Sequence, residues 1–414
     1  MTYLIRIVFI FFLLIPFDVS SQQELPKNYG YLGFDVYVGM LGNSNSEFPE
    51  HGLQKSLFLN VGQFESKDQK YWRYHLNSPK TGISLGFTDL GNKDALGYAY
   101  SVMPYAEFSL FPNTLDGFSL WVSLGGSYIT KQYNKETNPF NKGVSTRLNW
   151  SYNSFIYYTL LKSRTTKWRM GLGYFHHSNG HTRKPNRGYN AILLGTSLNF
   201  KNEELVIREK NPEEYPKVLE WYYTGRFGLG QNSFSDVFNE KEEVFAVAFS
   251  AGKIINKTVK LGVGFYYNFY QHYYNYIKNE ETLVRTQEPQ FTDNPIMNAS
   301  ALGVSGSAEL LMSHVGVELN VGLNYYKPFY KIDWQLNEGY TYFPNGEEKI
   351  VLGELDGYYN LKHVVSSRMG LKYYMLDTDK APKHNFFVGA FINANLGQAD
   401  FSELTFGYVR RFNL

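Results

Sequence analysis

The chain has 414 residues, 18% of them aromatic and 19% charged, with 40 Lys and Arg against 38 Asp and Glu. Soluble globules carry about 25% charged residues, and a net charge of +2 gives no bulk attraction for a nucleic acid, so no such partner is expected. Cysteine is absent, which removes thiolate chemistry, Cys-ligated metals and disulfide scaffolds together.

The first element is a targeting segment. Met1 to Arg6 form a short basic region, Ile7 to Phe17 an apolar run too short to span a bilayer, and Val19-Ser20-Ser21 a small-residue cleavage site. Residues 1–21 therefore read as a secretory signal peptide, and the rest of the chain holds no run of about 18 apolar residues that would make a transmembrane helix. An exported, Tyr-rich, weakly charged chain can still be an integral membrane protein. It must close a β-barrel, whose strands alternate lipid-facing and lumen-facing side chains.

That alternation recurs in chain order. Gly42 to Gly52 reads as a loop. Phe118, Leu120, Val122 and Leu124 alternate with Ser119, Ser123 and Gly125, and after a loop at Lys131 to Gly143 the row Leu148, Trp150, Tyr152, Ile156 opposes Arg147, Asn149, Ser151, Asn153. Trp168, Met170, Leu172 and Tyr174 share a parity that His176 and Ser178 extend. Past the polar segment His176 to Asn190, the residues Asn190, Ile192, Leu194, Leu198 and Phe200 form the next row. Lys201 to Lys217 is a charged break. Beyond it, Phe245, Val247 and Phe249 alternate with small residues, and Val259 to Tyr267 gives a strand within Thr258 to Asn268. Asn275 to Asn298 and Lys331 to Gly357 read as long outer loops, Met369, Leu371 and Tyr373 as a further strand. Leu404, Phe406, Tyr408, Phe412 and Leu414 form a closing strand of the outer-membrane kind. The expectation is an all-β transmembrane antiparallel barrel of about 14–16 strands, one domain over residues 22–414, in the cell outer membrane.

Chemistry concentrates between two of these strands. Joined as antiparallel neighbours, they bring His176, Ser178 and Asn190 together on the outer wall, where unpaired polar groups are costly. An imidazole can take the proton of a serine hydroxyl, and a carboxamide can hold the imidazole in the required tautomer. Backbone N–H groups at Asn179 and Gly180, in a turn that glycine permits, suit a developing oxyanion. Arg183, Lys184 and Arg187 place three cations at the rim, suited to phosphates. His177 falls on the opposite parity from His176, and no Cys or carboxylate completes a metal set, so no metal and no cofactor are expected.

The segment resembles the outer-membrane lipid A 3-O-deacylase (PagL) family. The matching residues are His176, Ser178 and Asn179, then Pro185, Asn186 and Gly188, then Asn190 fourteen positions after the His. Leu124 to Asn141 and the terminal ADFSELTFGYVRRF are similar to longer members described as acyloxyacyl hydrolases, and the catalytic segment is placed within residues 118–200. The resemblance implies an ester hydrolase that removes an ester-linked acyl chain from lipid A. Ser178 would be the nucleophile, His176 the base and Asn190 the third member. Its partners would be lipopolysaccharide of the outer leaflet and the surrounding membrane lipids. Well-known family members carry glutamate where this chain has Asn190. The outer-membrane phospholipase A family is also similar here and has asparagine, so a phospholipase is the first alternative. That family uses calcium, whereas no Asp or Glu lies between His176 and Asn190. A non-enzymatic channel or transport barrel is the second alternative.

Overall fold

A strand with one apolar and one polar row is stable in a bilayer only when every backbone group is paired and no edge is left open. The computed structural model of the chain describes residues 30–63, 70–111, 117–201, 212–342, 344–346 and 349–412. Its first eight strands are β1 (Gly30–Leu41), β2 (Gln54–Gln63), β3 (Lys80–Asp89), β4 (Tyr98–Ser109), β5 (Phe118–Ile129), β6 (Leu148–Lys162), β7 (Thr166–Ser178) and β8 (Tyr189–Lys201). They form an antiparallel sheet that closes when β8 returns to β1, in register from Tyr31 opposite Lys201 to Leu41 opposite Ala191.

A second closed barrel follows. It consists of β9 (Leu219–Asn232), β10 (Glu242–Ile255), β11 (Val259–Tyr270), β12 (Ser300–Met312), β13 (Val315–Tyr326), β16 (Val365–Tyr374), β17 (His384–Asn395) and β18 (Gln398–Phe412), the last pairing with β9. A short hairpin of β14 (Tyr340–Tyr342) and β15 (Lys349–Val351) stands apart. Two barrels of eight strands make sixteen, within the expected number, but the expectation of a single barrel over 22–414 is corrected. Period-two patterning marks strands without saying which distant pair closes the sheet. The charged stretch at Lys201 to Lys217 lies between the two closures, with 202–211 outside the described residues. The expected signal peptide, residues 1–21, also lies outside them.

The outward rows are apolar all round both barrels. Leu194, Val263 and Phe265 are 65%, 72% and 68% exposed, a pattern that belongs against hydrocarbon rather than water. No helix among the described residues is long and apolar enough to cross a membrane; the strands do so. Eight strands leave an interior just wide enough for side chains, and both lumens are filled. In the first, Glu107 is held by Arg169 and Lys80, each at 2.7 Å. In the second, Lys260, Glu309, Lys372, Glu318, Arg368, Glu403 and Arg226 form a continuous buried ion-pair chain.

The two stretches read as outer loops are partly helical, with helices at Gln271–Lys278, Thr282–Gln287, Pro295–Asn298, Tyr330–Asn337 and Gly357–Val364. Tyr273, Tyr276 and Ile277 have the three- and four-residue spacing that turns one helix face inward, and they pack with Phe234, Phe291 and Phe329 over the end of the second barrel. The barrels touch at both ends. At the end of the β2–β3 and β12–β13 connections, Lys70 pairs with Asp377 at 2.9 Å, and Trp72 Nε1 donates to Ser313 Oγ at 3.1 Å. At the other end, the contacts involve the β7–β8 loop.

Candidate active site

Strand β7 carries the exposed row Trp168, Met170, Leu172, Tyr174, and the same parity brings His176 and Ser178 to the outer wall. His177, on the other parity, is in the lumen, where its Nδ1 lies 3.0 Å from Ser127 Oγ and 2.7 Å from Ser151 Oγ. It is a lumen residue and faces away from His176, as the sequence indicated.

His176 stands directly opposite Asn190 in the β7–β8 register. Its Nδ1 is 2.7 Å from Asn190 Oδ1, an oxygen that can only accept, so Nδ1 carries the proton and Nε2 keeps its lone pair. Tyr174 also donates its hydroxyl to the same Oδ1, at 2.5 Å. The carboxamide thus holds two donors and fixes the imidazole edge. Gly188 lets this happen: a Cβ there would fall 2.7 Å from His176 Cε1 and 3.1 Å from the His177 carbonyl, at a φ of +76°.

Ser178 lies two residues beyond His176 and opposite Trp150 of β6. Among the described residues its hydroxyl has no hydrogen-bond partner. It is 5% exposed, although Met170 and Leu172 on the same row are 48% and 56% exposed. Trp150 Nε1 donates to Ser402 Oγ of β18, in the second barrel, at 3.1 Å.

The loop after Ser178 is tied down from within. The Asn179 amide donates to Asn186 Oδ1 at 2.9 Å, the Asn179 side chain to the Arg183 carbonyl at 2.7 Å, and Thr182 Oγ1 to the Asn179 carbonyl at 3.0 Å. Of the two backbone donors expected, the Asn179 N–H is therefore already engaged. The Gly180 N–H, in a left-handed conformation at φ +62°, has no partner among the described residues. Arg183 and Arg187 are exposed at the rim. Lys184 lies within the influence of Asp333 and Asp236 of the second barrel, and its burial pushes the ammonium below its ordinary pKa. Burial, with Lys184 beside it, holds the His181 imidazole well below its usual value. The structure brings His176 and Asn190 into contact and places Ser178 on the same wall. Arg183 and Arg187 are exposed, while Lys184 is less so. The sequence reading had Tyr174 and Trp150 only as members of outward rows and Ser402 only within the terminal segment, none of them as a site residue. Tyr174 shares the exposed row of the site and was legible in principle; Ser402 lies 252 positions from Trp150 and was not.

These features define an integral β-barrel membrane protein with an imidazole, a hydroxyl and a carboxamide on its lipid-side wall. The family model of lipid A 3-O-deacylase (PagL) matches residues 58–199, from within β2 to near the end of β8, so the resemblance read from the site holds across most of the first barrel. No curated protein matches the chain. A crystal structure of the outer membrane enzyme PagL is similar at 17% identity and a TM-score of 0.29, covering 40% of this chain and 97% of that one. An outer membrane channel from Pseudomonas putida F1 is similar at 9% identity and a TM-score of 0.19, covering 96% of this chain and 100% of that one. At those scores neither carries an argument about function.

Proposed function

We propose that the protein is an outer-membrane ester hydrolase that removes an ester-linked acyl chain from lipid A, with Ser178 as nucleophile, His176 as general base and Asn190 as the residue that orients the imidazole. The observation carrying this reading is the 2.7 Å contact of His176 Nδ1 with Asn190 Oδ1. It leaves Nε2 as the proton acceptor, two residues from an outward serine, inside the segment matched by a deacylase family.

In the proposed reaction Ser178 Oγ attacks the ester carbonyl as its proton passes to His176 Nε2. The Gly180 N–H, two residues after the nucleophile, is the donor assigned to the oxyanion, a role worth about a hundredfold or more per donor in rate. Collapse breaks the carbonyl carbon's bond to the sugar oxygen, which takes the proton from His176 and leaves as a hydroxyl, and an acyl-serine remains. Water, deprotonated by His176, then releases the fatty acid and restores the serine. Ser178 Oγ has no hydrogen-bond partner among the described residues, and catalytic hydrogen bonds commonly tighten when substrate binds. The exposed Arg183 and Arg187 are the cations assigned to lipid phosphates, and the less exposed Lys184 is assigned a smaller share. Against a conducting function stands the filling of both eight-stranded lumens by side chains.

The test is lipid A profiling by mass spectrometry of cells expressing the wild type and Ser178→Ala. The expected result is loss of one ester-linked acyl chain with the wild type alone. Identical profiles, with both barrels folded, overturn the reading, and phospholipid cleavage in place of lipid A cleavage turns it into a phospholipase.

A further inference from the structure

The second barrel has no share in the reaction as described, yet it grips the loop that follows the nucleophile. Ser402 Oγ donates to the Gly180 carbonyl at 3.1 Å, and Ser233 N donates to the His181 carbonyl at 2.9 Å. Asn239 takes both backbone groups of Lys184, accepting from its N–H at 2.8 Å and donating to its carbonyl at 2.7 Å. All three residues belong to the second barrel or to its β9–β10 loop. A Cβ on Gly180 would fall 2.1 Å from Ser402 Oγ and 3.0 Å from the Trp150 ring, so the second barrel sits directly against this glycine.

The backbone geometry gives the grip a consequence. Within a trans peptide plane the N–H points opposite to the C=O. The Thr182 hydroxyl on the Asn179 carbonyl therefore fixes the direction of the Gly180 N–H. Gly180 is the residue of this turn with the widest backbone freedom, and its own carbonyl is held by Ser402 while the next is held by Ser233. Bonds on both sides of the glycine confine it to one orientation.

We propose that the second barrel is a positioning element for the catalytic loop of the first, with Ser402 holding the Gly180 carbonyl and Asn239 the Lys184 backbone of the loop whose Gly180 amide meets the oxyanion. This rests on the hydrolase reading above. The Gly180 amide touches the reacting atoms in that reading, whereas Ser402 and Asn239 act through the loop. Ser402 lies on the β18 row that continues through Leu404, Phe406, Tyr408, Arg410 and Phe412.

The experiment uses the full-length protein in detergent micelles with purified lipid A. It compares wild type, Ser402→Ala, Ser402→Thr and Asn239→Ala, with folding followed by the heat-dependent mobility shift of each barrel. Asn239 lies in a loop outside both sheets, so its variant keeps the proposal testable should Ser402→Ala fold poorly. Expected are a kcat lower by about tenfold in Ser402→Ala and Asn239→Ala, since small misplacements of reacting groups cost that much or more, and a KM changed by less than about twofold. Ser402→Thr, which keeps the hydroxyl, restores kcat. Hydrogen exchange at the Lys184 amide should quicken roughly two- to tenfold in Asn239→Ala, the worth of one hydrogen bond. An unchanged kcat in both alanine variants, with a wild type that cleaves lipid A, overturns the positioning role. So does unchanged exchange across 180–184. A wild type that cleaves no ester sinks the hydrolase reading and the catalytic role of the loop with it.

Discussion

Replacing Asn190 by leucine tests the site at its best-defined contact. The carboxamide oxygen accepts from His176 Nδ1 at 2.7 Å and from the Tyr174 hydroxyl at 2.5 Å, and both donors lose their partner in Asn190→Leu. An unsatisfied buried donor costs about 1–3 kcal/mol, and this site is half-buried, so stability should fall by about 1–2 kcal/mol. The catalytic effect is larger. Without the acceptor the imidazole is free to move its proton to Nε2, which removes the base from the serine. A wrong tautomer costs about 10⁴ where a carboxylate orients the ring. A neutral amide does less, so the expected loss in kcat is about 10²–10³, or about 2.7–4 kcal/mol at 1.36 kcal/mol per decade. Asn190→Asp keeps an acceptor and adds the charge that stabilises an imidazolium, so it should retain wild-type activity or exceed it. The assay is release of ester-linked fatty acid from lipid A by purified protein. An Asn190→Leu enzyme within about threefold of wild type, alongside an inactive Ser178→Ala, would refute the orienting role.

Further outcomes follow from other parts of the molecule. Gly188→Ala should push His176 off Asn190, because the new Cβ would lie 2.7 Å from His176 Cε1 at a left-handed φ, and activity should drop more than folding does; unchanged turnover contradicts the close approach. Val263→Arg, on the exposed row in mid-β11, should cost about 2–4 kcal/mol of folding free energy in bilayers, read from the denaturant midpoint in vesicles, and no change would mean that this face does not meet hydrocarbon. Burial pushes the Asp333 carboxyl up to about 6, so the folded chain holds its proton more tightly than the unfolded chain. Stability from this group is full below its ordinary carboxylate pKa and is lost as pH rises through about 6. The melting temperature of Asp333→Asn should therefore gain on the wild type between pH 4 and 7, and a constant difference across that range contradicts the assignment.

The strands were legible because alternation is local. The row from Val259 to Tyr267 anticipated β11, and the rows on either side of His176 and Asn190 anticipated β7 and β8 with the two residues opposite each other. His177 was assigned to the other face and bonds lumen serines. Closure was not legible. Whether β8 returns to β1 or continues into β9 depends on pairing across more than 150 residues, which no local pattern encodes. The helices over the second barrel were missed because Asn275 to Asn298 and Lys331 to Gly357 are polar overall, while their inward residues are aromatic at helical spacing. The grip of Ser402 and Asn239 on backbone groups leaves no trace in sequence, since any loop residue supplies the same carbonyl and amide.

The central claim is that Ser178 is a nucleophile reached from the lipid side. Its most direct measurement is peptide mapping by mass spectrometry after incubating the micelle-embedded protein with a long-chain alkyl phosphonate p-nitrophenyl ester, whose phosphorus bonds to an activated serine oxygen as p-nitrophenolate leaves. The account predicts a stoichiometric adduct on the peptide containing Ser178, absent from Ser178→Ala and slowed by at least about a hundredfold in Asn190→Leu. Labelling elsewhere at the same rate, or no adduct at Ser178 in the folded wild type, would contradict it.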